Sequence, residues 1–168
     1  SESVNLKAEV RYFGSDDEGR TNVDNRYLGG MLTLSSRGHS LGLGYQNQNG
    51  DTGLPYLLVA DPWALNNGTY QPFVRAGEDS WQLRYDYDFA ALGIPGLTLM
   101  TRYMRGDDFE IRAVGGKEWE RNTDIGYVIQ GGPLRNLSLR WRNVTYRGSD
   151  TTDVDENGLI IAYTFKFW

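Results

Sequence analysis

The sequence predicts an all-β protein, an antiparallel up-and-down transmembrane β-barrel with eight strands present. Three observations lead there. Apolar and polar residues alternate with period two over long stretches, and the connections between stretches alternate between short and long. The charged side chains also share a face with small residues, while the bulky aromatics take the other face. A helix would scatter such charges round its circumference, whereas a strand separates them.

Taken in order, the first segment, 4–13, sets Val4, Leu6, Ala8, Val10 and Tyr12 against Asn5, Lys7, Glu9 and Arg11. Similar segments follow near 26–35, 39–48, 80–90, 97–105, 118–130, 137–147 and 158–168; in the fourth, Trp81, Leu83, Tyr85, Tyr87 and Phe89 oppose Gln82, Arg84, Asp86 and Asp88. Most exceed the usual strand length of about five or six residues and match the about 9–11 that a tilted membrane strand needs. Arg37-Gly38, Leu92–Gly96 and Gly131–Asn136 read as tight turns, with glycine and proline supplying the backbone angles. The stretches 14–25, 49–79, 106–117 and 148–157 read as longer, acidic loops. Short turns on one side and long loops on the other are the organisation of outer-membrane barrels.

Composition narrows the function classes. The 168 residues read as a single unit, 1–168, without linker or low-complexity tract, opening on a patterned segment as a mature protein or a piece of a longer one. Seventeen basic residues against 22 acidic ones give a net charge of −5, which argues against nucleic acid as a partner. With no cysteine and one histidine, thiol chemistry is excluded and a metal could find only oxygen ligands. We therefore expect no enzyme activity, no cofactor and no metal. His39 reads as a solvated turn residue rather than part of a triad. The acidic runs at 16–18, 107–108 and 153–156 lack the spacing of a calcium loop and read as solvated loops, with ion-bridged lipopolysaccharide as the minority reading. Gly42-Leu43-Gly44 lies mid-strand, where small side chains leave room in a lumen.

Extending the alternation places Lys7, Arg11, Arg84, Arg102, Arg140, Arg142 and Lys166 on the inner face, with Glu9, Asp86, Asp88, Glu120 and Asp124. That wall is basic while the loops are acidic. Like-signed side chains lining a pore select the sign of a permeating ion, and arginine offers a fork matched to carboxylates. An internal salt-bridge network filling a narrow barrel is the other reading of the same charges. Outward parity falls to Trp81, Tyr85, Tyr87, Phe89, Tyr103, Tyr127, Trp141, Tyr163, Phe165 and Phe167, as aromatic girdles require. Arg121 and Asn143 break that face and are expected at the loop-side interface. Trp168 shares the inner parity of Lys166.

Residues 80–110 (SWQLRYDYDFAALGIPGLTLMTRYMRGDDFE) resemble the OprD family of substrate-specific outer-membrane porins. So do 118–146, through Glu118-Trp119-Glu120-Arg121, Tyr127-Val128-Ile129-Gln130, Gly132-Pro133-Leu134 and Leu139-Arg140-Trp141-Arg142, and the ending from Asp155 to Trp168. The resemblance implies an 18-stranded barrel of which this chain is the C-terminal portion, in the bacterial outer membrane. It implies passage of small anionic or zwitterionic solutes bearing carboxylates: amino acids, aromatic or sugar acids, and carbapenem-type antibiotics. Arg140 and Arg142 take matching positions of the family's basic ladder, with Arg84 and Arg102 as further rungs. The 49–79 loop, with Tyr56, Asp61, Trp63 and Tyr70, resembles a constricting loop. Outer-membrane lipid and lipopolysaccharide are the implied surroundings, and the assembly a monomer or a loose trimer. A self-contained eight-stranded barrel with a packed polar interior and a structural or adhesive role is the alternative.

Overall fold

A computed structural model describes residues 3–17, 19, 22–55, 63–111 and 114–165. Eight antiparallel strands form one sheet in chain order: β1 (Asn5–Asp17), β2 (Val23–Ser36), β3 (His39–Asn49), β4 (Asp79–Asp88), β5 (Leu97–Ile111), β6 (Val114–Val128), β7 (Leu137–Gly148) and β8 (Val154–Tyr163). Among the described residues β1 pairs only with β2 and β8 only with β7, so the sheet is an open trough and not a closed eight-stranded barrel. Unpaired edges are not tolerated in lipid, and these two require strands beyond the described residues.

The inner and outer faces reverse the logic of a soluble protein. Leu6, Val10, Leu32, Leu43 and Leu159 are exposed on the outside, whereas Asn25, Gln46, Gln48, Glu120 and Asn122 are fully buried on the inside. Aromatics edge the apolar band. Its loop-side rim carries Tyr12, Tyr45, Trp81, Tyr103 and Trp141, with Trp81 and Tyr103 rings 5.4 Å apart. Its turn-side rim carries Tyr87, Tyr127 and Tyr163. His39 joins that rim: it is exposed as expected, but its Nδ1 bonds the Tyr85 hydroxyl at 2.7 Å and its ring lies 4.4 Å from that of Tyr87.

The band runs obliquely across the hydrogen-bonded rows. Its loop-side edge is Tyr12 on β1, paired with Leu28, and Leu159 on β8. Followed from partner to partner, the row of Leu159 passes Trp141, Ile125, Leu99, Tyr87 and His39 and meets β2 at Ser36. From Leu28 to Ser36 is 36 − 28 = 8 residues, accumulated over the seven steps from β1 to β8. At about 3.3 Å per residue and about 4.8 Å between strands, the strands tilt by about 38° from the membrane normal, within the range of transmembrane barrels. This descent also explains Arg121 and Asn143: on β6 and β7 the band lies lower, leaving both side chains at its loop-side rim.

The turns differ in detail from the sequence reading. Arg37 and Gly38 both have positive φ, 51° and 82°, as a two-residue primed turn requires. After β4 the chain makes a 3₁₀ turn, Phe89–Leu92, capped by Asp88 Oδ1 accepting from Ala90 N–H; Phe89 therefore belongs to a turn and not to the outer strand face. Of the expected 106–117 loop, residues 106–111 and 114–117 instead extend β5 and β6, with a bulge between Asp107 and Phe109 where Asp108 has φ 70°. Likewise β1 continues to Asp17, β2 starts at Val23, and β8 starts at Val154. These extensions rise above the apolar band, where the outer face meets water, the inner face packs under the loop at Asn25 and Phe109, and no apolar alternation marks a strand.

Candidate functional site: a polar trough roofed by one loop

Residues 50–55 and 63–78 lie over the inner face of β2–β7. Leu54, Ala64 and Val74 pack on Tyr27, with Phe13 alongside, making a small apolar core under the loop. Polar groups hold the rest. Gln46 donates to the Phe73 carbonyl and accepts from Asn66 N–H at 2.9 Å, Tyr27 Oη accepts from Leu65 N–H at 2.9 Å, and Asn66 Nδ2 donates to Ser80 Oγ at 3.0 Å. The room expected at Gly42 and Gly44 is used from within: Gly42 faces Met31, and a Cβ at Gly44 would lie 3.0 Å from Gln82.

Glu120, expected as a lumen charge, is a loop anchor. Its Oε1 accepts from Thr69 N–H at 2.7 Å and Tyr70 N–H at 3.0 Å, and its Oε2 accepts from Gln71 N–H at 2.9 Å. Asn122 Nδ2 adds a fourth donor at 2.7 Å. Three successive backbone N–H groups form a concave anion cradle, so this buried carboxylate is fully satisfied. Gly68 makes the turn that aims them, its N–H donating to the Gln71 carbonyl at 2.8 Å.

A second anchor joins the loop to β6 and β7. Glu118 accepts from Tyr146 Oη at 2.5 Å and faces Arg75 at 3.2 Å; Arg75 also pairs with Asp150 at 2.8 Å and lies 4.3 Å over the Phe109 ring. Glu78 accepts from Arg75 N–H at 3.0 Å. One oxygen of Glu78 and one of Glu118 are buried without a donor, a defect that a proton on Glu78 repairs. Burial, and then the neighbouring Glu118 carboxylate, push Glu78 from the ordinary 4.5 up to about 9.

The basic residues expected on the inner wall separate into two groups. Lys7 and Arg11 both engage Glu9, and Arg11 Nη1 also donates to the Trp63 carbonyl at 2.7 Å. Arg84 forks onto Asp86 with both bonds at 2.7 Å, and Arg142 onto Asp124 at 2.9 and 2.8 Å. Each of those four cations has a carboxylate within reach, Lys7 and Arg11 sharing the single charge of Glu9. Among the described residues Arg102 has no carboxylate at ion-pair distance: Nε donates to Asn122 at 2.7 Å, and Nη2 stands 3.5 Å from Thr69 Oγ1. Arg140 lies 4.0 Å from Asp124, which Arg142 already holds, and its side chain is 49% exposed.

Two clefts share Arg84 and Asp86. The loop-side one, about 460 Å³, is lined by Lys7, Arg11, Leu65, Arg84 and Arg102; the turn-side one, about 790 Å³, by Asp86, Met100, Asp124 and Arg140. Asp88 sits at the turn-side mouth, its carboxylate used as the cap. Trp63 is exposed, and Tyr70 packs 4.9 Å from Tyr146. Tyr56, Asp61 and Lys166 lie outside the described residues, as does Trp168. The parity signal located the wall residues but missed Glu78, Glu118 and Glu120 as anchors. Of the three, Glu120 alone stood among the inner-face charges expected from the sequence.

An outward lipid face, an oblique aromatic-edged band and a polar trough under an infolded loop describe a porin wall, and the family model for "outer membrane porin, OprD family" matches residues 1–167. The chain belongs to the OprD family of outer-membrane porins. Relatives include "Porin-like protein GalP" of Pseudomonas putida, 35% identical over 164 residues covering 94% of this chain and 39% of that protein. "Porin D" of Pseudomonas aeruginosa is 29% identical over 187 residues, covering 94% and 42%. Among solved structures, P. aeruginosa OpdQ superposes with a TM-score of 0.94 at 49% identity over 98% of this chain and 44% of that one. P. aeruginosa OccK7 (OpdD) gives 0.93 at 46% identity, covering 100% and 45%. The chain thus spans less than half of these OprD-family proteins, consistent with a partial barrel. Members of the family are channels, and their place is the bacterial outer membrane.

Proposed function

We propose that this chain forms the C-terminal wall of a wider OprD-family barrel and passes small carboxylate-bearing solutes: amino acids, aromatic or sugar acids, and carbapenem-type antibiotics. The observation that carries the reading is Arg102, an inner-wall guanidinium that forms no ion pair among the described residues and opens on the loop-side cleft. A solute carboxylate would dock on its free Nη groups, slide past the neutralised Arg84–Asp86 pair, and meet Arg140 before leaving on the turn side. Neutralised pairs keep the wall polar without trapping the solute, since conduction requires binding weak enough to release. Lipopolysaccharide is the proposed lipid partner, and the unit works as a monomer or a loose trimer.

The test is liposome swelling with the full-length porin and benzoate, glutamate and glucuronate as solutes. Arg102→Gln lowers carboxylate flux about three- to tenfold relative to an uncharged solute of equal size, one cation at a partly wet site being worth about 1 kcal/mol. A parallel fall for the uncharged solute would mean a collapsed pore, and no fall would remove Arg102 from the path.

A further inference from the structure

The outer surface above the loop-side rim carries charge at the depth where lipid headgroups begin. Arg105 is forked onto Asp107, and Arg147 holds both Asp153 and Asp155 at 3.4 and 2.8 Å. Those acids are therefore spent. Two outward cations on β6 form no ion pair among the described residues: Lys117, and Arg121, whose Nη2 makes 3.3 Å contacts to Asn143 and Thr145 and which feels Asp155 only from across β7. Both side chains are exposed, and Trp119 stands between them on the same face. The indole is fixed, stacked on Tyr103 at 5.7 Å with the Arg147 guanidinium 5.9 Å from its ring.

We propose that Lys117, Trp119 and Arg121 form a binding site for the phosphorylated disaccharide headgroup of lipopolysaccharide. Alternate residues of one strand put the two cations about 13 Å apart, with the aromatic ring midway. That order, cation–aromatic–cation, complements phosphate–sugar–phosphate. The edge of the indole left open between Tyr103 and Arg147 offers an apolar contact to the sugar, and each cation offers hydrogen bonds to one terminal phosphate. The tilt of the sheet brings this stretch of β6 to the headgroup layer, because the apolar band ends at Ile125 and Thr123 just below it. On β1–β4 the same hydrogen-bonded row runs through Ala8, Leu32, Leu43 and Leu83, all within the acyl region. The site is therefore one-sided around the wall.

This inference deepens the lipid contact proposed above and is independent of the solute. The test titrates the detergent-purified full-length porin with bisphosphoryl lipid A, its dephosphorylated form and phosphatidylglycerol, reading bound lipid by native mass spectrometry. Bisphosphoryl lipid A should bind tightest, and each of Lys117→Gln and Arg121→Gln should weaken it roughly fivefold, both together about thirtyfold. Arg105→Gln, at a cation already paired, should change it less than twofold. Equal binding of dephosphorylated lipid A or of phosphatidylglycerol to the unaltered porin would overturn the proposal, and so would full affinity in the double variant. Should the double variant fail to insert, the comparison of the three lipids on the unaltered protein decides alone. Solute flux through the double variant should stay unchanged, so this site and the lumen reading fail separately.

Discussion

Replacing Glu120 by glutamine keeps the volume of the side chain and removes its charge, which makes it a direct test of how the loop is held. In the native arrangement the carboxylate accepts four hydrogen bonds, three of them from the backbone of Thr69, Tyr70 and Gln71. A bond to a charged acceptor contributes about 1.5–3 kcal/mol and a neutral one about 0.5–1.5 kcal/mol. Glutamine retains Oε1 with its three donors but sets an NH₂ against Gln71 N–H in place of Oε2. Three bonds weaken by about 1 kcal/mol each and one is lost, while burying a neutral amide returns part of the cost of desolvating the charge. The balance is a loop held about 2–4 kcal/mol less tightly. Hydrogen exchange of the amides at 69–71 in the detergent-solubilised full-length porin reads this directly, and protection should fall roughly 30- to 1,000-fold. Protection in the paired backbone of β3 and β4 should stay as it was. Unchanged exchange at 69–71 would show that the cradle does not hold the loop.

Other consequences can be measured alongside. Gly68→Ala would drive a Cβ against the Gln71 carbonyl and to 2.5 Å from Glu120 Oε2, so the same three amides should lose protection, at a cost of about 1–3 kcal/mol. Its single-channel conductance should rise as the roof lifts; an unaltered conductance would separate the roof from the constriction. Glu78 has its proton affinity raised on folding, so the folded chain binds more protons than the unfolded one between pH 4.5 and about 9. The contribution of Glu78 to loop docking is then full below pH 4.5 and is lost as pH rises toward 9. Glu78→Gln should flatten that dependence in hydrogen exchange at 75–78, and a slope persisting in the variant would assign it to another group.

Much of the wall was legible because the bilayer imposes period two on every strand it touches. The outward Leu–Tyr–Trp series and the inward Arg–Asp series were assigned correctly by parity alone. Legibility stopped where the bilayer stops. Residues 106–111 and 114–117 are strands in which Asp107, Glu110 and Lys117 meet water, and no apolar face announces them. The partners of the basic wall could be read only in part. That Arg84 sits two residues from Asp86 is visible in the chain, but that Arg142 spends its fork on Asp124 depends on the β6–β7 register. Glu120 was hidden for a different reason. An inward acid beside arginines looks like one more pore charge until a loop fifty residues earlier places its backbone on it.

That separation sets an order on assembly. The loop leaves the sheet after β3, yet its anchors are Glu118 and Glu120 on β6 and Tyr146 on β7, about fifty or more residues later in the chain. Until β6 has paired with β5, the amides of Thr69, Tyr70 and Gln71 have no acceptor and the roof has nothing to settle on. Pairing of β5 with β6 must therefore precede the seating of the roof, whichever strands pair first. The loop lies early in the chain, but its place on the sheet is fixed by strands that come after it.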